Sequence, residues 1–220
     1  MSKYKHAIFV VFAVLIIDQI LKIWIKMNWT IGEHLTLIDG FFELHFIENN
    51  GMAFGINLPG VWGKLALSLF RIAAVVAIGF YLKKNIDQKA HKGFVTCVAM
   101  ILAGAIGNII DSAVYGVFFS RSSLGQVAEL FPADGGYASS GAMGGYLEGY
   151  VVDMLHFTVH WPKWVPYLGG SGEIFPPIFN IADAAISLGI IWIIIRQKKF
   201  FAVEKKEDVV IDVEIASEEA

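Results

Sequence analysis

Four apolar runs, each near the length a helix needs to cross a hydrocarbon core, leave this chain few folds to choose from. They cover about residues 7–27, 61–82, 93–119 and 179–195 of the 220. Roughly 20 helical residues span a bilayer, and lipid forces every backbone N–H and C=O to pair within its own segment. The pattern therefore predicts an all-α membrane protein with four transmembrane helices. The composition agrees, with 56% hydrophobic and 17% charged residues and a mean hydropathy of +0.60, well above a soluble domain. The first run carries Asp18 and Lys22 and has no small-residue cleavage site after it, so it reads as a retained helix rather than a secretory signal.

Charge sets the expected orientation, because Lys and Arg near helix ends stay in the cytoplasm. Lys3 and Lys5 precede the first helix, Lys83, Lys84, Lys89 and Lys92 lie between the second and third, and Arg196, Lys198 and Lys199 follow the fourth. Both termini are therefore expected to be cytoplasmic. The connections 28–60 and 120–178 are expected to face outward, since they hold nine Asp and Glu residues that include Glu33, Glu48, Glu129 and Glu173 against Arg121 and Lys163. The first connection alternates polar and apolar residues from Thr36 to Phe46, with turn signals at Asp39-Gly40 and Asn50-Gly51, and predicts a small extracytoplasmic β-sheet lying on the membrane. The second is a long extracytoplasmic loop. It is rich in Gly, Ser and Tyr from Gly135 to Tyr150 and then carries Trp161, Trp164 and Tyr167, residues suited to headgroup depth. It is expected to form a flap or a lip over a site. A single membrane-embedded domain over 1–199 is expected to end in an acidic, disordered cytoplasmic tail at 200–220.

Several chemistries drop out early. The basic residues do not form a patch interleaved with aromatics, which removes nucleic acid as a partner. The lone Cys97 lies in an apolar run, so no internal disulfide or Cys-based metal cage is available. No Gly-x-Ser-x-Gly elbow occurs for a serine nucleophile. His156 and His160 could join Asp153 as metal ligands, but His-Glu-x-x-His is absent and Trp161-Pro162 interrupts any continuous helix.

Ionisable groups inside apolar runs are expensive and mark candidate sites. Asp18 and Lys22, spaced i and i+4, share a face; they read either as a packing salt bridge or as the wall of a polar pocket. Asn108 and Asp111 follow Gly104-Ala105-Ile106-Gly107, whose small residues let a helix or ligand approach closely. Asn180 and Asp183 repeat the i, i+3 spacing at the start of the fourth helix. Asp153 ends Val151-Val152-Asp153, where the ordinary reading is a helix N-cap. Arg71 reads as a snorkelling side chain. Two aspartates meeting at one depth suit a specific chemistry: one carboxyl holds a proton while the other is a base. Such a pair can activate water for attack on a peptide bond without a metal or a covalent intermediate. The alternative is a small proton-coupled transporter using the same carboxylates, which the lack of repeated halves disfavours. Presenilin-like proteases are disfavoured by the absence of Gly-x-Gly-Asp.

In this order the chain carries Asp18-Gln19-x-x-Lys22, Asn49-x-Gly51-x-Ala53-Phe54, Gly104-Ala105-x-Gly107-Asn108-x-x-Asp111, Val151-Val152-Asp153 and Phe179-Asn180-x-Ala182-Asp183. These motifs resemble those of the lipoprotein signal peptidases, or signal peptidase II. The resemblance implies an aspartic endopeptidase of the bacterial cytoplasmic (inner) membrane, probing its substrate near the outer face, without metal or cofactor. It implies Asp153 and Asp183 as the dyad, with Asp18, Lys22, Asn49, Gly51, Asn108, Asp111 and Asn180 lining or supporting the site. It also implies a prolipoprotein substrate bearing diacylglyceryl-cysteine, cut just before that cysteine, membrane lipids as surroundings, and a monomer. The chain departs from the family in carrying Ser112 where Arg usually follows the third-helix aspartate, so the charge contact expected there is either missing or supplied by another residue such as Arg121 or Arg71. Its loops Val114–Tyr150 and Thr158–Pro177 are longer than is typical of the family.

Overall fold

The computed structural model describes residues 2–49, 60–141, 143–165 and 172–201. Helix α1 runs Lys3–Asn28, strand β1 His34–Ile38, strand β2 Phe42–Asn49, helix α2 Gly60–Asp87 and helix α3 Lys92–Ile110. A π-helical turn, Asp111–Tyr115, and the short α4, Gly116–Phe118, continue α3; strand β3, Val151–Phe157, and helix α5, Ile181–Phe200, complete the chain.

Among the described residues three helices are long and apolar enough to cross a membrane: α1, α2 from Trp62, and α3 with its continuation to Phe118. Their apolar faces stay open. Ile8, Phe9, Phe12, Ile16, Ile17 and Ile20 of α1 are all more than half exposed, the expected state of side chains that meet lipid tails. Helix α5 occupies the fourth apolar run but carries Asp183 at its start and Arg196, Lys198 and Lys199 at its end. Its packing on α3 depends on glycine. A Cβ at Gly104 would lie 2.2 Å from the Ala182 carbonyl oxygen, and one at Gly189 2.9 Å from the Cys97 carbonyl oxygen, so two backbones meet where any side chain would part them.

The sheet is antiparallel in the order β1-β2-β3. Its hairpin turns at Asp39-Gly40 as the sequence predicts, with Gly40 at φ +65°, a conformation glycine adopts without a Cβ penalty. The turn expected at Asn50-Gly51 lies outside the described residues, as do Tyr167 and the acidic tail beyond Phe201. The third strand is a correction to the sequence reading. Val151–Phe157 belongs to the stretch assigned to a loop, yet it pairs with β2 through Asn49↔Val151, Ile47↔Asp153 and Glu43↔His156. Asp153 is therefore a mid-strand residue and caps no helix.

The rest of the second connection is stitched to the end of the third helix. Leu147 N donates to Ala113 O at 3.2 Å, Gly149 N to Ser112 O at 2.9 Å and Ala138 N to Gly116 O at 3.0 Å. These bonds satisfy carbonyls that a helix end leaves unpaired. One core beneath the sheet joins Ile25, Trp29, Phe46, Tyr115, Phe119, Val152 and Met154, and so locks α1, the sheet and the π turn together.

Candidate active site

The two aspartates arrive on different elements. Asp153 is fully buried on β3, and Asp183 is half-buried in the first turn of α5. Asn180 links them. As the N-cap of α5 it accepts from Asp183 N at 2.9 Å, and the Asp183 carboxylate returns a bond from Asn180 N, which closes a capping box. Its amide nitrogen donates to Asp153 Oδ1 at 2.6 Å and to Asn108 Oδ1 at 3.0 Å. Asn108 then donates to Asp183 Oδ1 at 2.7 Å, and Asn49 donates to Asp153 Oδ2 at 3.0 Å.

Lys22 fixes which way the Asn108 amide points. An ammonium can only donate, so its 3.0 Å contact must be with the Asn108 oxygen, which leaves the amide N–H group for Asp183. The other two Lys22 protons go to Asp18 Oδ2 at 2.9 Å and Asp111 Oδ2 at 2.8 Å. All three side chains are essentially fully buried. Asp18 and Lys22 pair with each other within α1, and Lys22 ties that helix to Asp111 and Asn108 at the end of α3. Removing either charge from such a cluster costs about 3–5 kcal/mol, because it strands the partner. Asp18 Oδ1 also accepts from Ala182 N at 2.9 Å, and Asp111 Oδ2 from Val152 N at 3.2 Å, so the cluster braces the backbone beside each catalytic candidate.

Burial, followed by repulsion from Asp183, pushes Asp153 up to about 7 despite the bonds from Asn49 and Asn180 that favour its charged form. A carboxyl poised there can hold a proton near neutrality and give it up readily.

Sequence reasoning quoted Gln19 in a motif without giving it a place in the site. Gln19 donates to Asp111 Oδ1 at 2.9 Å and to Asp18 Oδ2 at 3.1 Å, and accepts from the Tyr115 hydroxyl at 3.0 Å. An amide in the middle of an apolar run was the available signal. Of the two arginines considered, Arg121 is exposed, whereas Arg71 donates to Ser112 Oγ at 3.4 Å and feels the charges of Asp183, Asp111 and Asp153. Gly51 lies outside the described residues. The combination of Asp153, His156 and His160 as metal ligands does not form. His156 bonds Glu43 and Glu173, both at 2.9 Å, and His160 Nδ1 contacts the Thr158 carbonyl oxygen.

Comparison with known proteins gives a consistent set of likenesses. A family model described as signal peptidase (SPase) II matches residues 10–199. A lipoprotein signal peptidase of Porphyromonas gingivalis is 43% identical over 186 residues, which cover 82% of this chain and 77% of that one. One from Fusobacterium nucleatum is 33% identical over 194 residues, 86% of this chain and 84% of that one. A solved structure described as a bacterial membrane enzyme, 25% identical, superposes with a TM-score of 0.56 over 89% of this chain and 94% of its own. None of these likenesses supports a transporter.

Proposed function

Because this chain belongs to the signal peptidase II family, we propose that Asp153 and Asp183 form its catalytic dyad and that Asp18, Lys22, Asn49, Asn108, Asp111 and Asn180 hold that dyad in place. Gly51 joins the set through its motif alone. The chain is a membrane aspartic endopeptidase that removes the signal peptide from prolipoproteins whose cysteine carries diacylglycerol, cutting just before that cysteine. The observation that carries the assignment of the dyad is the continuous path from Asp153 Oδ1 through the Asn180 and Asn108 amides to Asp183 Oδ1.

The chemistry follows from one proton shared between two carboxyls. Asp153, the more deeply buried, holds that proton and donates it in a hydrogen bond to the scissile carbonyl oxygen. The carboxylate of Asp183 takes a proton from water, whose oxygen attacks the carbonyl carbon. As the tetrahedral intermediate collapses, the proton on Asp183 passes to the leaving nitrogen and the C–N bond breaks, while Asp153 recovers its own from the carbonyl oxygen. The amides of Asn49, Asn108 and Asn180 keep both carboxyls aimed through the cycle. Arg71, contributed by α2, supplies the positive charge that the family ordinarily places where Ser112 stands.

The test is cleavage of a diacylglyceryl-modified prolipoprotein by purified protein in detergent, with circular dichroism as a folding control. Asp153→Asn and Asp183→Asn should each lower kcat by about 10²- to 10⁴-fold while remaining folded. Arg71→Ala should also reduce turnover, and Arg71→Lys should restore part of it. Full activity in either folded Asp→Asn variant would remove the dyad.

All four helices cross the membrane in this reading, with both termini in the cytoplasm and the dyad near the outer face. Support comes from the gathering of basic ends. Lys3 Nζ donates to the Lys89 and Ala90 carbonyls at 2.7 and 2.6 Å, and the Phe200 ring lies tilted with its centroid 5.2 Å from that of His91, so the three basic clusters share one end of the bundle. The protein acts as a monomer, with prolipoprotein and membrane lipids as its partners.

A further inference from the structure

Away from the dyad, the outer sheet carries a second cluster of chemistry-bearing side chains. Glu43 and His45 on β2 and His156 on β3 each offer a ligand atom, and these atoms lie within 4.8 Å of one another. Strand geometry builds the arrangement: Glu43 and His45, two residues apart on β2, share the face opposite core-packed Leu44 and Phe46, and Glu43 pairs across the sheet with His156. Glu43 Oε1 lies 3.4 Å from His45 Nδ1 and 2.9 Å from His156 Nδ1.

We propose that Glu43, His45 and His156 bind one divalent zinc-class cation, with Glu173 orienting His156 from behind. Three observations carry this. First, His45 Nδ1 is buried with no hydrogen-bond partner, although a carboxylate oxygen stands 3.4 Å away. A buried ring nitrogen without a bond is costly, and a metal at its lone pair removes that cost. Second, tetrahedral zinc with bonds of 2.0–2.2 Å sets neighbouring ligand atoms about 3.3 Å apart, close to the 2.9 and 3.4 Å spacings here. Third, His156 turns Nδ1 toward Glu43 and Nε2 toward Glu173 Oε2 at 2.9 Å. A carboxylate behind the far nitrogen is the partner that metal-bound histidines have.

The chemical class follows from the ligand set. Two imidazoles and a carboxylate suit zinc and its transition-metal neighbours, whereas magnesium and calcium prefer all-oxygen shells. On loading, the cation displaces the Nδ1 proton of His156 to solvent and leaves Nε2–H donating to Glu173. Asp153 and His156 lie three residues apart on β3, about 10 Å along a strand, so the cation would tie β2, β3 and the Glu173 segment together without entering the dyad.

The experiment uses the full, tag-free chain in detergent, stripped with chelator and titrated with zinc chloride by calorimetry, then loaded with cobalt(II) for its visible spectrum. One zinc per chain is expected, a tetrahedral cobalt band, and no response to magnesium. His45→Gln and His156→Gln should each abolish the cobalt band, Glu173→Gln should weaken zinc about 10- to 100-fold, and His160→Gln should change nothing. A wild type that takes up no zinc would overturn the proposal. So would a zinc isotherm and cobalt spectrum unchanged by His45→Gln, with circular dichroism establishing that the variant is folded.

Discussion

At the scale of single residues, the proposed dyad turns on what Asp153 does with its proton. Its folded value of about 7 stands above the ordinary 3.8, so the native state holds a proton that the unfolded chain has lost across that window. Stability from this group is fully present below about pH 4 and declines as pH rises toward 7. In the proposed mechanism activity follows the same proton, so kcat/KM for prolipoprotein cleavage should fall on an alkaline limb near pH 7. Replacing Asn49 with Leu removes a hydrogen bond that favours the charged form, and should move that limb upward in pH. A pH-rate profile of both proteins checks this; a limb that stays where it is would detach Asn49 from the dyad. Most of these residues are legible in sequence because polar groups in apolar runs are rare. What sequence withholds is direction. Nothing in Asn108 alone says which side of its amide faces Asp183, since the Lys22 ammonium decides that from another helix.

At the scale of elements, the helices were legible and β3 was not, for one physical reason. Apolar runs longer than a bilayer is thick admit a single secondary structure, whereas Val151-Val152-Asp153-Met154 shows no alternation because those four residues are all buried. The strand exists through pairing with β2, roughly a hundred residues earlier, and no local window contains that partner. The π turn at Asp111–Tyr115 is equally invisible, being set by the loop residues that bond its carbonyls. The glycine contacts between α3 and α5 make the prediction that belongs here. Gly104→Ala forces its methyl against the Ala182 carbonyl and should destabilise the fold by about 1–3 kcal/mol, with loss of activity because Ala182 adjoins Asp183. Ala105→Gly, one residue along, makes a control for general helix effects. Thermal unfolding in detergent measures both.

At the scale of the whole molecule, the basic ends gather on one side and the sheet, the Gly-rich connection and the two aspartates on the other. In a Cys97→Ala background, Lys5→Cys should resist a membrane-impermeant maleimide applied outside spheroplasts, and Arg121→Cys should react. The reverse labelling would invert the orientation. The proposed site is gathered from distant parts of the chain. Asp18 of α1 accepts from Ala182 N, 164 residues later, and Asn180 and Asp183 both arrive with α5. In the proposed dyad, Asp153 therefore meets its partner carboxylate only once that last helix has docked, and a chain lacking α5 should cleave nothing.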